Sequence, residues 1–201
     1  MNCSIILFDG FETLDAFGPV EGIGTLAKAL EGYAIEYYSE NGGMVVSAQN
    51  VRVETLPMSG IGEPGIVLIP GGMGTRREVN NEGLMRSLWD LCERAQFVLT
   101  VCTGSGLLAK TGLLDGVRAT SNKMAFDWAV EQGPQVQWVR RARWVHDGKY
   151  YTSSGVSAGI DMSLGFVSDR MGEPVARRIA HGIEYLWNSD AGDDPFYRES
   201  Q

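Results

Sequence analysis

Gln96-Phe-Val-Leu-Thr-Val101-Cys102-Thr-Gly-Ser-Gly106-Leu-Leu-Ala109 is the stretch on which the reading of this chain turns. Phe97 to Val101 form a continuous apolar and β-branched run, which reads as a strand buried on both faces. The run stops at Cys102-Thr103-Gly104-Ser105-Gly106, and Leu107, Leu108, Ala109 and Lys110 begin a helix. Strand, tight turn of small residues, helix is the shape of a nucleophile elbow, which holds one side chain at the top of a sheet. The N–H groups at the start of the helix lack partners within it. Together with the helix dipole they favour a thiolate over a thiol. Cys102 is therefore the candidate nucleophile, and the one cysteine expected to have a depressed pKa. An isolated Cys would be read as a small packing residue; the turn decides for the reactive reading.

Outward from this stretch, strands alternate with helices. Strands are expected at Ser4 to Phe8, Ala34 to Ser39 and Ile66 to Pro70, with a small edge hairpin from Met44 to Ala48 and Val51 to Glu54. Val136 to Val145 and Tyr150 to Ser154 read as strands joined by the turn His146-Asp147-Gly148-Lys149, where Asp-Gly is a hairpin signal. Leu14 to Pro19 is expected to lead into a helix through about Leu30, with Pro19 in its first turn, and a second helix is expected from Val79 to Ala95. Further helices are expected at Met124 to Glu131, Ile160 to Met171 and Glu173 to Leu186, followed by a polar tail from Asn188 to Gln201. The alternation implies a mostly parallel sheet in a three-layer αβα sandwich, one domain over residues 1–201. In open sheets of this kind, sites form beyond the carboxyl ends of the strands. The loops Asp9 to Asp15, Gly71 to Gly74, Cys102 to Ser105 and Gly155 to Gly159 all follow strands and are expected to converge there.

Composition bounds the rest. The 201 residues, 44% hydrophobic with 26 glycines, suit a sizeable core with many tight turns. A net charge of −8 argues against non-specific attraction to nucleic acid or anionic membrane. No apolar run is long enough to cross a bilayer, and Met1-Asn2-Cys3-Ser4 lacks the basic start of a secretory signal. Three cysteines without a CxxC or Cys/His cluster point away from disulfides and metal. The expectation is a cytoplasmic, cofactor-free protein.

Cys102 needs a proton-transfer partner. The two histidines, His146 in the expected turn and His181 in the last helix, do not follow a strand at the converging edge. A carboxylate remains. Asp15, between Leu14 and Ala16, has apolar neighbours that would raise its pKa into a useful range. It could equally cap the helix, and Glu21 competes one turn further on. Gly71 and Gly72 allow close approach to the backbone and could donate N–H groups to a developing anion. Thr103 and Ser105 offer hydroxyls beside the nucleophile or caps for its helix. Ser157 and Asp161 could line the site, although their spacing also marks a helix start, and that structural role is preferred for Asp161. Cys3 and Cys92 read as packing residues.

Ile69-Pro-Gly-Gly72, Val101-Cys-Thr-Gly104 with Leu108-Ala109, and Gly112-Leu-Leu-Asp-Gly116 together resemble the ThiJ/PfpI superfamily of class I glutamine-amidotransferase-like proteins. Leu14-Asp15 with Gly18-Pro19, Thr152 to Asp161, Glu184-Tyr185 and Pro195-Phe196 look most like its isocyanide hydratase branch. The resemblance implies a flavodoxin-like sandwich, usually a homodimer, acting on a small molecule without a cofactor. It implies that Cys102 attacks an isocyanide carbon while Asp15 handles protons, with Gly72 and Thr103 orienting the substrate, and that water releases an N-substituted formamide. Many relatives carry a His after the strand ending at Thr120, where this chain has Ser121-Asn122-Lys123. That departure weakens amidase, protease and deglycase readings. A ligand- or redox-sensing module is the alternative. The AraC-like regulators that share these motifs carry a helix-turn-helix region after the sandwich. Here the acidic stretch Asp190 to Asp194 precedes Gln201, so direct DNA contact is not expected.

Overall fold

A computed structural model describes residues 2–29 and 34–198. The elements are β1 (Asn2–Ile6), α1 (Thr13–Ala29), β2 (Ala34–Ser39), β3 (Gly43–Val46), β4 (Arg52–Pro57), β5 (Ile66–Ile69), α2 (Thr75–Glu78), α3 (Glu82–Arg94), β6 (Phe97–Val101), α4 (Gly104–Lys110), β7 (Arg118–Ala119), α5 (Phe126–Gln132), β8 (Gln137–Trp138), β9 (Trp144–Asp147), β10 (Tyr150–Ser153), α6 (Ala158–Met171) and α7 (Glu173–Gly182). The main sheet runs β3-β4-β2-β1-β5-β6-β10-β9. Its central pairs are parallel, and only the edge pairs β3/β4 and β9/β10 are antiparallel. This is the flavodoxin-like sandwich expected from the alternation of strands and helices.

The sheet centre follows directly from its residues. All four residues of β5 and the last four of β6 are buried, as uninterrupted apolar strands must be when helices cover both faces. On α3, Leu84, Leu88 and Leu91 fall on one face and are buried. The Asn81 side chain opens that helix by accepting from the N–H groups of Gly83 and Leu84 at 3.1 and 3.2 Å. It therefore starts at Glu82 rather than Val79.

Other boundaries also differ from expectation. Helix α1 begins at Thr13, so Pro19 lies inside it rather than in its first turn. The expected end of this helix at Leu30 and the last residues of the tail lie outside the described residues. The expected strand Val136 to Val145 is split into β8 and β9, and Arg143 between them pairs with the buried Asp161. His146 lies on β9 opposite Tyr151, not in a turn. The last helix closes at Gly182 through bonds from Tyr185 N to Ala180 O and Glu184 N to His181 O, with Glu184 at φ 52°. That is a Schellman closure. Beyond it, the supposedly polar tail sends Asp194 into the interior, 2% exposed.

Close packing of α1 on α6 positions the first helix over the sheet. A Cβ added at Gly159 would lie 2.9 Å from both Val101 methyls and 3.1 Å from the Pro19 ring. One at Gly24 would meet only Ile35 and Val20, at 3.5 and 3.9 Å. Gly159→Ala should therefore destabilise by about 1–3 kcal/mol through overpacking. Gly24→Ala should be neutral or stabilising by up to about 1 kcal/mol, because it removes a helical glycine. Thermal unfolding of the two variants checks the contrast.

Candidate active site

Four strand-end loops meet at Cys102. The Phe8–Asp15 loop bonds to the Gly71–Gly74 loop through Glu12 N to Gly71 O at 2.9 Å and Gly74 N to Gly10 O at 3.1 Å. Cys102 itself sits at φ 57°, a left-handed conformation unfavourable for a residue with a Cβ. Three hydrogen bonds hold it there. Its N–H donates to Ser154 O at 3.1 Å. Its carbonyl accepts from Ser105 Oγ at 2.9 Å and Ser121 Oγ at 3.0 Å. Ser105 thus fixes the elbow and does not cap the helix.

The sulfur is enclosed by Asp15, by the N–H and side chain of Thr103, and by Asn122. Asp15 is fully buried. Its Oδ2 accepts the Gly71 N–H at 2.9 Å, Oδ1 has no partner of good hydrogen-bond geometry among the described residues, and the carboxyl lies within reach of the Cys102 thiol. Burial raises the Asp15 pKa from 3.8 to about 7, with a contribution from the Glu12 charge and opposition from the Gly71 N–H. The same enclosure acts on the thiol. Burial, then the Asp15 charge, push Cys102 up to about 12 against the lowering influence of Thr103 and Asn122. The depressed thiol pKa expected from the elbow is therefore overturned. A buried cysteine beside a carboxylate does not ionise as a surface thiol at a helix N-terminus would. Cys102 and Asp15 form a coupled pair, and burial and the Asp15 charge both favour the thiol over the thiolate.

The two glycines have a different task from the one expected of them. The Gly71 N–H is taken by Asp15 and the Gly72 N–H by Thr103 Oγ1 at 3.1 Å, so neither is free for a developing anion. What they supply is space. A Cβ at Gly71 would be 2.5 Å from Thr103 N and 2.9 Å from Asp15 Oδ2. At Gly72, with φ 119°, it would be 2.5 Å from Glu12 N and Gly10 O.

Not every candidate reaches the sulfur. Glu21 is exposed on α1 and acts on Tyr37 instead. Asp161 is buried against Arg143, whose Nη2 lies 2.8 Å from its Oδ2, and accepts the Asn188 N–H at 2.9 Å; its role is structural. Ser157 Oγ accepts from the same guanidinium at 3.2 Å. Arg143 and Lys123 also face Asp194, at 3.5 and 3.6 Å, and so clamp the tail beside the site. His146 stacks on Tyr151 at 4.0 Å and faces Asp169 at 3.3 Å. His181 is exposed on the last turn of α7. No imidazole is among the groups around the sulfur; Asn122, after β7, supplies a side-chain hydrogen bond to it instead. A cavity of about 660 Å³ opens at Asn122 and is lined by Phe126, Ser154, Val156, Ser157 and Phe196. Val156, β-branched yet at φ 41°, marks its strained wall.

Residues that the sequence alone did not single out are Arg76, Trp128, Ser121 and Ser154. Their signal was available for Arg76: Thr75-Arg76-Arg77 directly follows the Gly71–Gly74 turn at a strand end.

The family model described as "DJ-1/PfpI family" matches residues 1–169, and the chain belongs to that family. It is 31% identical over 120 residues to an isonitrile hydratase of Pseudomonas putida, covering 60% of this chain and 51% of that protein. It is 28% identical over 180 residues to the HTH-type transcriptional regulator CdhR of Pseudomonas aeruginosa, covering 87% of this chain and 52% of that protein. The chain thus spans about half the length of these curated relatives. Among solved structures, a ThiJ/PfpI family protein from Pseudomonas syringae superposes with a TM-score of 0.82 at 26% identity, over 99% of this chain and 78% of that one.

The Asp15 carboxyl gives a prediction with a defined sign. Its folded pKa, about 7, lies above the ordinary 3.8, so the fold binds more protons than the unfolded chain between those values. Its favourable contribution is complete below the lower value and is lost as pH rises through about 7. Asp15→Asn keeps an acceptor for Gly71 and mimics the protonated acid. It should match wild type in acid and be more stable at pH about 8 by a few kcal/mol, at about 1.4 kcal/mol per pKa unit. A variant whose melting temperature falls below wild type at the higher pH would contradict the burial argument.

Proposed function

We propose that this protein is a cofactor-free hydratase that adds water to an isocyanide, using Cys102 as nucleophile and Asp15 as the group that moves protons. The observation that carries this reading is the buried Asp15 carboxyl, with a pKa of about 7, within reach of the Cys102 thiol. A thiol held at about 12 is not a resting thiolate, so it needs a base at the moment of attack. Asp15 as carboxylate is that base, and once protonated it is the acid the next event requires.

The steps balance as follows. Asp15 takes the thiol proton as sulfur bonds to the terminal carbon of R–N≡C. Asp15 then delivers that proton to the same carbon, giving the thioimidate R–N=CH–S–Cys102. Water adds to this carbon and passes one proton toward nitrogen. The carbon–sulfur bond breaks, the electron pair returns to sulfur with a proton, and R–NH–CHO leaves. The net change is R–NC plus H₂O to the formamide. The Thr103 N–H, beside the sulfur, is placed to steady charge on it. The 660 Å³ cavity that opens at Asn122 combines Phe126 and Phe196 with Lys123, Asp127 and Arg140 in its wall, which suits an R group with both apolar and polar parts.

A second reading, a ligand-sensing module without turnover, is favoured by the longer alignment with the regulator, 87% of the chain against 60%. One assay separates them: an aryl isocyanide incubated with the protein while formamide is followed, beside methylglyoxal consumption. Saturable binding without formamide supports the sensor.

Three outcomes follow for the hydratase. Asp15→Asn should lose about 10²–10⁴-fold in turnover while staying folded. In wild type, kcat/KM should rise with pH through about 7, since the free enzyme must hold Asp15 as carboxylate to accept the thiol proton. The double change His146→Gln with His181→Gln should leave kcat/KM within a few-fold of wild type, both side chains being remote from the sulfur. Collapse of activity in that folded double variant would revive a Cys–His enzyme.

A further inference from the structure

Among the described residues, one cation near the site, Arg76, has no carboxylate partner. Arg76, the second residue of the short helix α2, is half-buried. Its Nη1 donates to Thr75 Oγ1 at 2.9 Å. Thr75 Oγ1 in turn bonds Thr103 Oγ1 at 3.1 Å, so the guanidinium stands two hydrogen bonds from the residue that follows the nucleophile. Its Cζ lies 3.9 Å from the Trp128 ring centroid. That ring packs on the elbow itself: a Cβ at Gly106 would come 2.5 Å from Trp128 Cζ3. Arg76 is near enough to Cys102 for a charge developing on the sulfur to act on it.

The neighbouring arginine shows what is missing. Arg77 donates to Glu78 Oε1 at 2.8 Å and to the Asp9 carbonyl at 2.9 Å. Arg76 has no carboxylate partner among the described residues, and a single N–H of its five is used within the protein. Partial burial lowers its pKa, as expected of a cation that has lost water without gaining an anion. The stack on Trp128 and the bond to Thr75 fix the plane of the fork, which removes much of the entropic cost of binding a planar anion.

We infer that Arg76 is an anion-binding group beside Cys102, and that the substrate carries a carboxylate which this guanidinium grips while its reacting carbon faces the sulfur. This deepens the proposed hydratase reading by naming the substrate class, an isocyanide whose R group bears a carboxylate, and in that respect rests on it. The anion site itself does not. A carboxylate meets the fork through two parallel N–H···O bonds, whereas a neutral ester or amide leaves both a buried cation and its donors unanswered. Arg76 is thus a specificity-determining residue, distinct from the groups that move protons.

The test uses the nucleophile as reporter and needs no turnover. Alkylation of Cys102 is followed by peptide mass with two pairs of reagents, iodoacetate against iodoacetamide and 3-iodopropionate against 3-iodopropionamide. In each, sulfur displaces iodide. Wild type should favour the acid of at least one pair with saturable kinetics, and acetate should protect Cys102 from iodoacetamide. Arg76→Gln should lower the acid-to-amide rate ratio by about 10- to 100-fold, the worth of a charge-assisted pair, and Arg76→Lys should retain part of it. Taking the ratio cancels any effect of Arg76 on the thiol itself, which would change both rates together. If Arg76→Gln does not fold, acetate protection in wild type and the Arg76→Lys ratio decide. An unchanged ratio, or no preference for either acid in wild type, overturns the inference. A parallel arm compares kcat/KM for isocyanoacetate and its methyl ester. A shifted alkylation ratio with neither isocyanide hydrated keeps the anion site and removes the hydratase reading. Hydration of both at equal efficiency, with an unchanged ratio, does the reverse.

Discussion

The hydrogen bond from the Gly71 N–H to Asp15 Oδ2, 2.9 Å long and buried, is the constraint on which the site depends. It joins the first turn of α1 to the loop after β5, and it leaves the carboxyl within reach of the only cysteine at a strand-to-helix elbow. A carboxylate in such surroundings is costly unless it is protonated or its charge is used. The fold accepts that cost because neighbouring packing holds the pieces in place. Pro19 and Gly159 press α1 onto α6, and two glycines let the Asp15 and Thr103 loops touch.

The elbow obeys the same logic. Cys102 is kept in a left-handed conformation by serines from three separate segments, Ser105, Ser121 and Ser154. Strain of this kind persists only where the surroundings over-determine it. The consequence is electrostatic as much as geometric. Because the elbow is sealed, with Asp15 alongside, helix-end N–H groups do not dominate the thiol. On the proposed reading, the chemistry would therefore use a thiol–carboxylate pair rather than a preformed thiolate, and the pKa of Asp15 would set when the sulfur can attack.

Much of this was legible in the residues. Phe97 to Val101 and Ile66 to Ile69 are uninterrupted apolar runs, and both are central parallel strands. Cys102, Asp15, Thr103, Gly71 and Gly72 all lie where the loops converge. What escaped reading depended on long-range partners. The sign of the Cys102 shift required knowing that Asp15 would be buried against it. The glycine N–H groups looked free because their acceptors, Asp15 and Thr103, are 56 and 31 residues away. Arg143 lay within an expected strand and Asp194 within an expected polar tail, yet both are buried, where they meet Asp161 and Lys123. Glu21 sits one helical turn beyond Asp15, and the helix points it outward.

The central claim is that the Asp15 carboxyl, rather than the Cys102 thiol, is the group of the pair that titrates near neutral pH. Its carboxyl carbon, observed by carbon NMR in protein labelled at aspartate and assigned with Asp15→Asn, reports this directly. The account predicts a titration centred near 7 in wild type, shifted when Cys102 is replaced by alanine, since the two groups are coupled. A midpoint near the ordinary aspartate value, unmoved by loss of the sulfur, would contradict it.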